Sequence, residues 1–390
     1  MLAHSERARK ILLLCTSICS VGAARSYIKR ARRKQLAVLL KARKIRDGNV
    51  ARDRAAMLNE INGLPDYVFR SMFRVNRETF EEILTKIDSK MPVMDVAYAQ
   101  RNVEGCRGMP LTNRVKLLAT LRFLAGGMKW DICMAFKIGF GSFFATNLSG
   151  VVWPTCDAID ASYSIGLDPN NHDELKKMAE EFSHISLYSA EVFSKVVMAM
   201  DGWVMQTRKP YDSEVINVQS YMNRKGFWGM VVLAGCDART RFTMWNCKNT
   251  GSCNDCNAWD VSAFRESLDL FPKWIQILGD EAFTCTNQVL VPWSGQGIGK
   301  AKDSFNYHLS VRRQVIERAF GILMKRWGVF SRPVVVAHKH WAKLATVCAK
   351  LHNVCIDANV PNVGRYEKDW KVEDRNELLV NDILHDNEPT

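Results

Sequence analysis

Between residues 66 and 190 the apolar side chains recur at helical spacing. Phe80, Ile83, Leu84 and Ile87 stand at i, i+3, i+4 and i+7, and Leu117, Leu121 and Leu124 follow a Thr112 cap and stop at Gly126-Gly127. This stretch predicts a helical domain. After residue 191 the texture changes to short continuous apolar runs, the pattern of central strands covered on both faces. Val196-Val197-Met198-Ala199-Met200 runs into Asp201-Gly202, and Trp274–Leu278 runs into Gly279-Asp280. Phe227–Gly235 and Arg241–Cys247 flank a polar connection of hairpin length, Cys236-Asp237-Ala238-Arg239-Thr240. A helix is expected from about Asp255, with Val261, Phe264, Leu268 and Phe271 on one stripe and Pro272 closing it. Later, Ile316, Phe320, Leu323 and Trp327 make the buried stripe of another helix.

The order strand, two strands, helix, strand, helix is that of an RNase H-like core. The expected class is therefore α/β, a mixed central sheet with flanking helices, preceded by an all-helical N-terminal region. Four segments follow: a basic helical arm over 1–65, a helical domain over 66–190, the core over 191–360 and an acidic tail over 361–390. Within the helical domain, Trp130–Lys137 and Phe140–Val151 flank a turn at Ile138-Gly139, the spacing of a helix-turn-helix. The second segment has no Arg or Lys to read bases, so a structural helix pair fits equally well.

Charge sharpens this division. Residues 1–60 hold 15 Lys and Arg against 4 Asp and Glu, nearly all of the chain's net charge of +13. Such a surplus favours a polyanionic partner. The block Lys29-Arg30-Ala31-Arg32-Arg33-Lys34 suits phosphate contact, nuclear import or a solvated helical face, and an Arg-rich, acid-poor start also suits a mitochondrial presequence. Ile11–Cys19 is diluted by Thr16 and Ser17, and no small-x-small cleavage pattern precedes Arg25, which argues against a secretory signal. No other stretch approaches the ~18 apolar residues of a membrane span, and no membrane association is expected. The 12 cysteines lie at irregular spacings, often inside apolar runs, so a reducing compartment is expected rather than a disulfide framework. The tail from Arg365 holds 8 acidic against 4 basic residues and reads as a solvated end.

Carboxylates at the ends of neighbouring strands are the candidate chemistry. Phosphodiester cleavage with two cations needs carboxylates converging on metals ~3.5–4 Å apart, and hard Mg²⁺ prefers oxygen ligands. Asp201 and Asp280 meet that need if their strands lie side by side. A third ligand is sought on the helix packed beside them, where Glu317 lies at the margin of the buried stripe; the plain alternative is a surface i,i+4 pair with Arg313.

These segments resemble the PIF/Harbinger transposases, the family that includes the harbinger transposase-derived nucleases. The likeness is closest in FNYHLSVRRQVIERAFGILMKRWGVF (Phe305–Phe330), similar to that family's block around its catalytic glutamate. Leu278-Gly279-Asp280-Glu281-Ala282-Phe283, Leu290-Val291-Pro292-Trp293, GSCNDCNAW (Gly251–Trp259) and Leu351-His352-Asn353 are also similar, and a looser likeness extends back to about residue 70. The resemblance implies a metal-dependent DNA-cutting enzyme with Asp201, Asp280 and Glu317 as catalytic metal ligands, Mg²⁺ as cofactor and Mn²⁺ as its substitute. Asp255 falls at another family aspartate, where it caps a helix, positions DNA or serves as an accessory ligand. Double-stranded DNA is the implied substrate, with Lys29, Arg30, Arg32, Arg33, Lys34, Lys300, Lys302, Arg312 and Arg313 as candidate contacts. A nuclear location and a separate Myb-like DNA-binding partner also follow from the likeness; a homo-oligomer is compatible with the sequence without being implied by it. One departure is that Gly202-Trp203-Val204 follows Asp201 where the family usually has a histidine, which motivates the alternative of a domesticated, non-cutting DNA-binding protein. A ribonuclease acting on RNA–DNA hybrids is a third reading.

Other constellations carry less. Cys253-Asn254-Asp255-Cys256 has the spacing of half a zinc site without a second half. His338, His340 and His352 are explained by helical packing. Gly295-Gln296-Gly297-Ile298-Gly299-Lys300-Ala301 lacks the first Gly and the Ser or Thr of a phosphate loop.

Overall fold

The computed structural model describes residues 54–92, 111–147, 149–186, 189–295 and 297–362. The basic block Lys29–Lys34, most of the arm and nearly all of the acidic tail lie outside the described residues. A five-stranded mixed sheet forms the centre, with strands β1 (Val196–Gln206), β2 (Gly229–Cys236), β3 (Phe242–Thr250), β4 (Gln276–Leu278) and β5 (Val289–Leu290). Their order is β3-β2-β1-β4-β5. β1, β2 and β3 pair antiparallel, whereas β4 lies parallel to β1 and β5 parallel to β4. This is the mixed sheet of an RNase H-like core, preceded by a helical region.

Alternate residues of β2 enter different cores, as the two-residue strand period requires. Met230, Val232, Ala234 and Cys236 join the larger cluster, shared with the helices Lys300–Arg326 and Trp341–Asp357 and with the N-terminal helices. Val231 and Leu233 join the other, with Leu175 and Met178 of the helix His172–Ser183 and with Trp259 and Phe271. The larger cluster runs from Met57 to Val360, so the described helical region and the sheet share one core.

Several local expectations change. β1 does not end at Asp201 but continues to Gln206, paired with β2 alone once β4 stops at Leu278. The expected helix from Asp255 to Phe271 is broken into Asp255–Asp260, Ala263–Ser267 and a 3-10 turn Leu268–Leu270. Ser262 is the cause: its side chain accepts from Arg265 N at 3.1 Å and starts a new helix, leaving Val261 exposed. Of the second segment beyond the Ile138-Gly139 turn, the structure forms a single helical turn, Phe140–Phe143. Phe143 is fully buried against Phe123, and Phe144 stacks on Trp153, so these aromatics serve the core and present no recognition helix.

The Leu351-His352-Asn353 motif has a structural task. Asn353 Oδ1 accepts from Phe242 N at 2.8 Å and its Nδ2 donates to Phe242 O at 2.7 Å, so one amide pairs the edge strand β3 as a neighbouring strand would. His352 Nε2 lies 2.8 Å from Thr240 O, and burial pushes its pKa down to about 4, keeping the ring neutral with Nε2 as donor. His338 bonds Tyr221 Oη at 2.8 Å and His340 stacks on Trp153 at 3.8 Å, which accounts for the other two histidines by packing.

Candidate metal centre

Parallel pairing of β1 and β4 sets the site. Ala199 lies opposite Leu278, so Asp201 in β1 and Asp280, two residues past the end of β4, emerge side by side. Because β4 ends there, β1 loses cover on that side, and burial falls from complete at Met200 to partial at Asp201. Asp255 arrives from the start of its own helix. It does not cap that helix: Asn254 does, accepting from Asn257 N at 2.8 Å, which leaves the Asp255 carboxylate free. Gly202 makes room for it, since a Cβ placed there would lie 1.9 Å from Asp255 Oδ1.

Asp201, Asp255 and Asp280 thereby converge, with one oxygen of each within 4.8 Å of the others. An octahedral Mg²⁺ with ligands at ~2.1 Å spans up to ~4.2 Å between opposite oxygens, so the set has the scale of that ion's ligand shell. Three half-buried hard oxygen donors match Mg²⁺ or Mn²⁺ and not a soft metal. The electrostatics agree. Burial raises the pKa of Asp201, with Arg313 opposing and Asp280 reinforcing the rise. Asp255 is likewise raised by burial and by repulsion from Asp201 and Asp280, with Arg224 opposing. Like charges held this close are strained without a cation. Among the described residues this is the only such cluster, and Cys253, Cys256 and the histidines form none.

Glu317, the expected third carboxylate, is not one of the three. Arg313 Nη2 donates to Glu317 Oε1 at 2.8 Å, the i,i+4 pair foreseen as its plain alternative, while Nη1 donates to Asp201 Oδ2 at 2.9 Å. The guanidinium thus bridges the two carboxylates, with the Glu317 side chain 54% exposed and that of Asp201 only 20%. Arg312, a candidate DNA contact, is instead fully buried: it donates to Ser189 Oγ at 2.8 Å and Ser186 O at 2.9 Å and lies over the Phe193 ring. It braces the helix and cannot meet a phosphate without unfolding that contact. Lys300 is exposed at the helix start, and Lys302 rests its ammonium 4.2 Å from the Trp293 ring centre.

Sequence reasoning undervalued Asp255. Two local signals were present: Asn254, a better-placed cap, and Gly202 inside a strand, which marks close approach of another group.

Residues 200–353 match the family model described as DDE superfamily endonuclease. That span carries all three aspartates and Glu317. No curated protein and no solved structure matches the chain.

Proposed function

We propose that the 200–353 domain is a transposase-type nuclease of the Harbinger kind that cuts double-stranded DNA and joins the freed 3′-OH to target DNA. The observation that carries the reading is the convergence of Asp201, Asp255 and Asp280 at the exposed end of β4, inside the matched domain. Bound there, divalent cations supply Lewis acidity at the phosphoryl oxygens and a water of lowered pKa. The aspartates hold that charge, Asp255 held in place from the far side of β1 through the gap at Gly202. Glu317, held on Arg313 beside Asp201, would be the nearest further carboxylate were that pair to open, and the guanidinium would then be free for a phosphate oxygen. A nuclear location and a separate Myb-like DNA-binding partner belong to the same proposal and rest on the sequence resemblance.

Purified protein incubated with supercoiled plasmid should nick it only with Mg²⁺ or Mn²⁺, and Asp201→Asn, Asp255→Asn and Asp280→Asn should each abolish nicking. Nicking that survives all three substitutions refutes the assignment. A second reading, a DNA-binding protein that no longer cuts, is favoured by one observation: Arg313 already neutralises Asp201 where a cation would. Under that reading the plasmid stays intact in either metal although the chain still binds DNA.

A further inference from the structure

The segment between β1 and β2 folds back as a small hairpin beside the carboxylates. Met222 and Trp228 pair antiparallel, Asn223 N donates to Phe227 O at 2.8 Å, and Gly226 turns the chain at φ 83°. The Asn223 side chain, itself buried, locks the turn from both sides: its Oδ1 accepts from Lys225 N at 2.8 Å and its Nδ2 donates to Gly251 O at 3.1 Å. Next to it, Ser252 N donates to Ser220 O at 2.9 Å. Gly251 permits this approach, because a Cβ there would meet Tyr221 O at 2.5 Å and Gly229 O at 2.7 Å. The hairpin is therefore tied to the turn that leads directly into the Asp255 helix, and on its other side Thr207 N donates to Trp228 O at 2.8 Å.

At the tip stand Arg224 and Lys225, both exposed and, among the described residues, in no ion pair. Three other arginines of the domain are, by contrast, committed. Arg313 holds Asp201 and Glu317, Arg208 holds Glu214, and Arg312 is buried. The ties to Gly251 and Ser252 anchor the hairpin three to four residues ahead of Asp255, and Arg224 is the cation that acts on the Asp255 carboxylate. Fixing a loop costs conformational entropy, roughly 1–2 kcal/mol per residue. A tip so firmly strapped holds two exposed cations, in no ion pair among the described residues, on the side of the chain that carries Asp255.

Resting on the nuclease reading, we propose that Arg224 and Lys225 grip the DNA backbone beside the phosphate to be cut, as positioning residues for the duplex. Arg224 offers a planar fork to two phosphate oxygens and Lys225 a point charge. Such contacts set the register of the duplex and carry no sequence preference. The aspartates repel the DNA, and cations on their rim offset that repulsion without occupying the metal positions.

The full chain is titrated with a 30-base-pair duplex at several salt concentrations without divalent metal. Each lost phosphate contact lowers the slope of log K against log salt by about 0.9, so Arg224→Ala/Lys225→Ala should flatten it by about 1.8. The stabilisation by Mn²⁺ should be at least that of the wild type, which shows the variant folded with its carboxylates in place. Arg224→Lys should restore the slope and still nick slowly, because the fork is gone. An unchanged slope in the double variant overturns the proposal even if the wild type nicks DNA, as does a wild-type chain that binds no duplex. A flattened slope in a chain that never nicks keeps the grip and removes only the nuclease reading.

Discussion

Gly202→Ala tests the centre without touching a carboxylate. The added Cβ would fall 1.9 Å from Asp255 Oδ1 and 2.5 Å from its Cγ, whereas ordinary contacts lie beyond about 3.4 Å. Backbone strain is not involved, since Gly202 is not among the glycines with positive φ. The carboxylate is the far end of a rotatable side chain and swings aside, so Asp255 leaves the cluster. Two charges no more than 4.8 Å apart repel by at least about 3.5 kcal/mol at an effective dielectric constant of ~20 and about 0.9 in water. Relief of that repulsion offsets the crowding, and the metal-free melting temperature should move little. Metal binding should suffer. Loss of even a supporting contact weakens a metal site ~10–100-fold. With Mn²⁺ at a hundred times the wild-type Kd, stabilisation of about 2.7 kcal/mol should fall to between about 1.4 and 0.4 kcal/mol in the variant. At roughly 1 °C per kcal/mol for a chain of 390 residues, differential scanning fluorimetry resolves the change. Gly166→Ala, with no atom within 4 Å of its added Cβ, is the control. A full Mn²⁺ shift in Gly202→Ala would falsify the placement of Asp255 among the ligands.

Three further outcomes are expected. Arg313→Met removes the cation that competes for Asp201 and Glu317, so Mn²⁺ should bind several-fold more tightly in a calorimetric titration; weaker binding would show that the guanidinium scaffolds the carboxylates. Asp237, buried at the β2–β3 turn, has its pKa raised to about 6 by burial despite Arg239, Arg241 and the bond from Arg241 N, so the folded state gains protons, and stability, as pH falls from about 7 toward 4. Asp237→Asn should accordingly stabilise the chain at pH 8 by about 1–3 kcal/mol and by much less at pH 4.5, and a pH-independent difference in urea unfolding would refute this. Asn353→Ala strands both backbone groups of the buried Phe242 and should cost about 2–4 kcal/mol; a loss below about 1 kcal/mol would mean water replaces the amide at that edge.

Most of the sheet was legible because its central strands are buried on both faces and so read as unbroken apolar runs. The end of β1 was not. The polar onset at Asp201 marks the loss of β4 as a neighbour, not the end of the strand, and a run of side chains records cover rather than hydrogen bonding. Arg312 and Arg313 show the same limit on a helix. They are adjacent in sequence and identical in chemistry, and a helix turns about 100° between them. One points into the core beneath Ser186 and Ser189, the other toward Asp201, and only the packing of the helix on β1 separates their roles.

The membership of the carboxylate cluster depends on contacts between residues far apart in the chain. Asp201 and Asp280 were reachable because each follows a strand and parallel neighbours bring equivalent positions level. Asp255 and Glu317 compete for the next place, and helix periodicity favours Glu317, which borders a long buried stripe, over Asp255, which opens a six-residue helix. The structure weighs them otherwise, through Gly202 on one side of β1 and Arg313 on the other. Both carboxylates are within one side-chain movement of the same edge, and the choice between them is a difference in charge balance. Asp255→Asn and Glu317→Gln separate the two by calorimetry: a Mn²⁺ affinity lost in the first and kept in the second makes Asp255 the resident ligand. The reverse result would mean that cation binding itself draws Glu317 from Arg313 and that the triad expected from the sequence forms only when loaded.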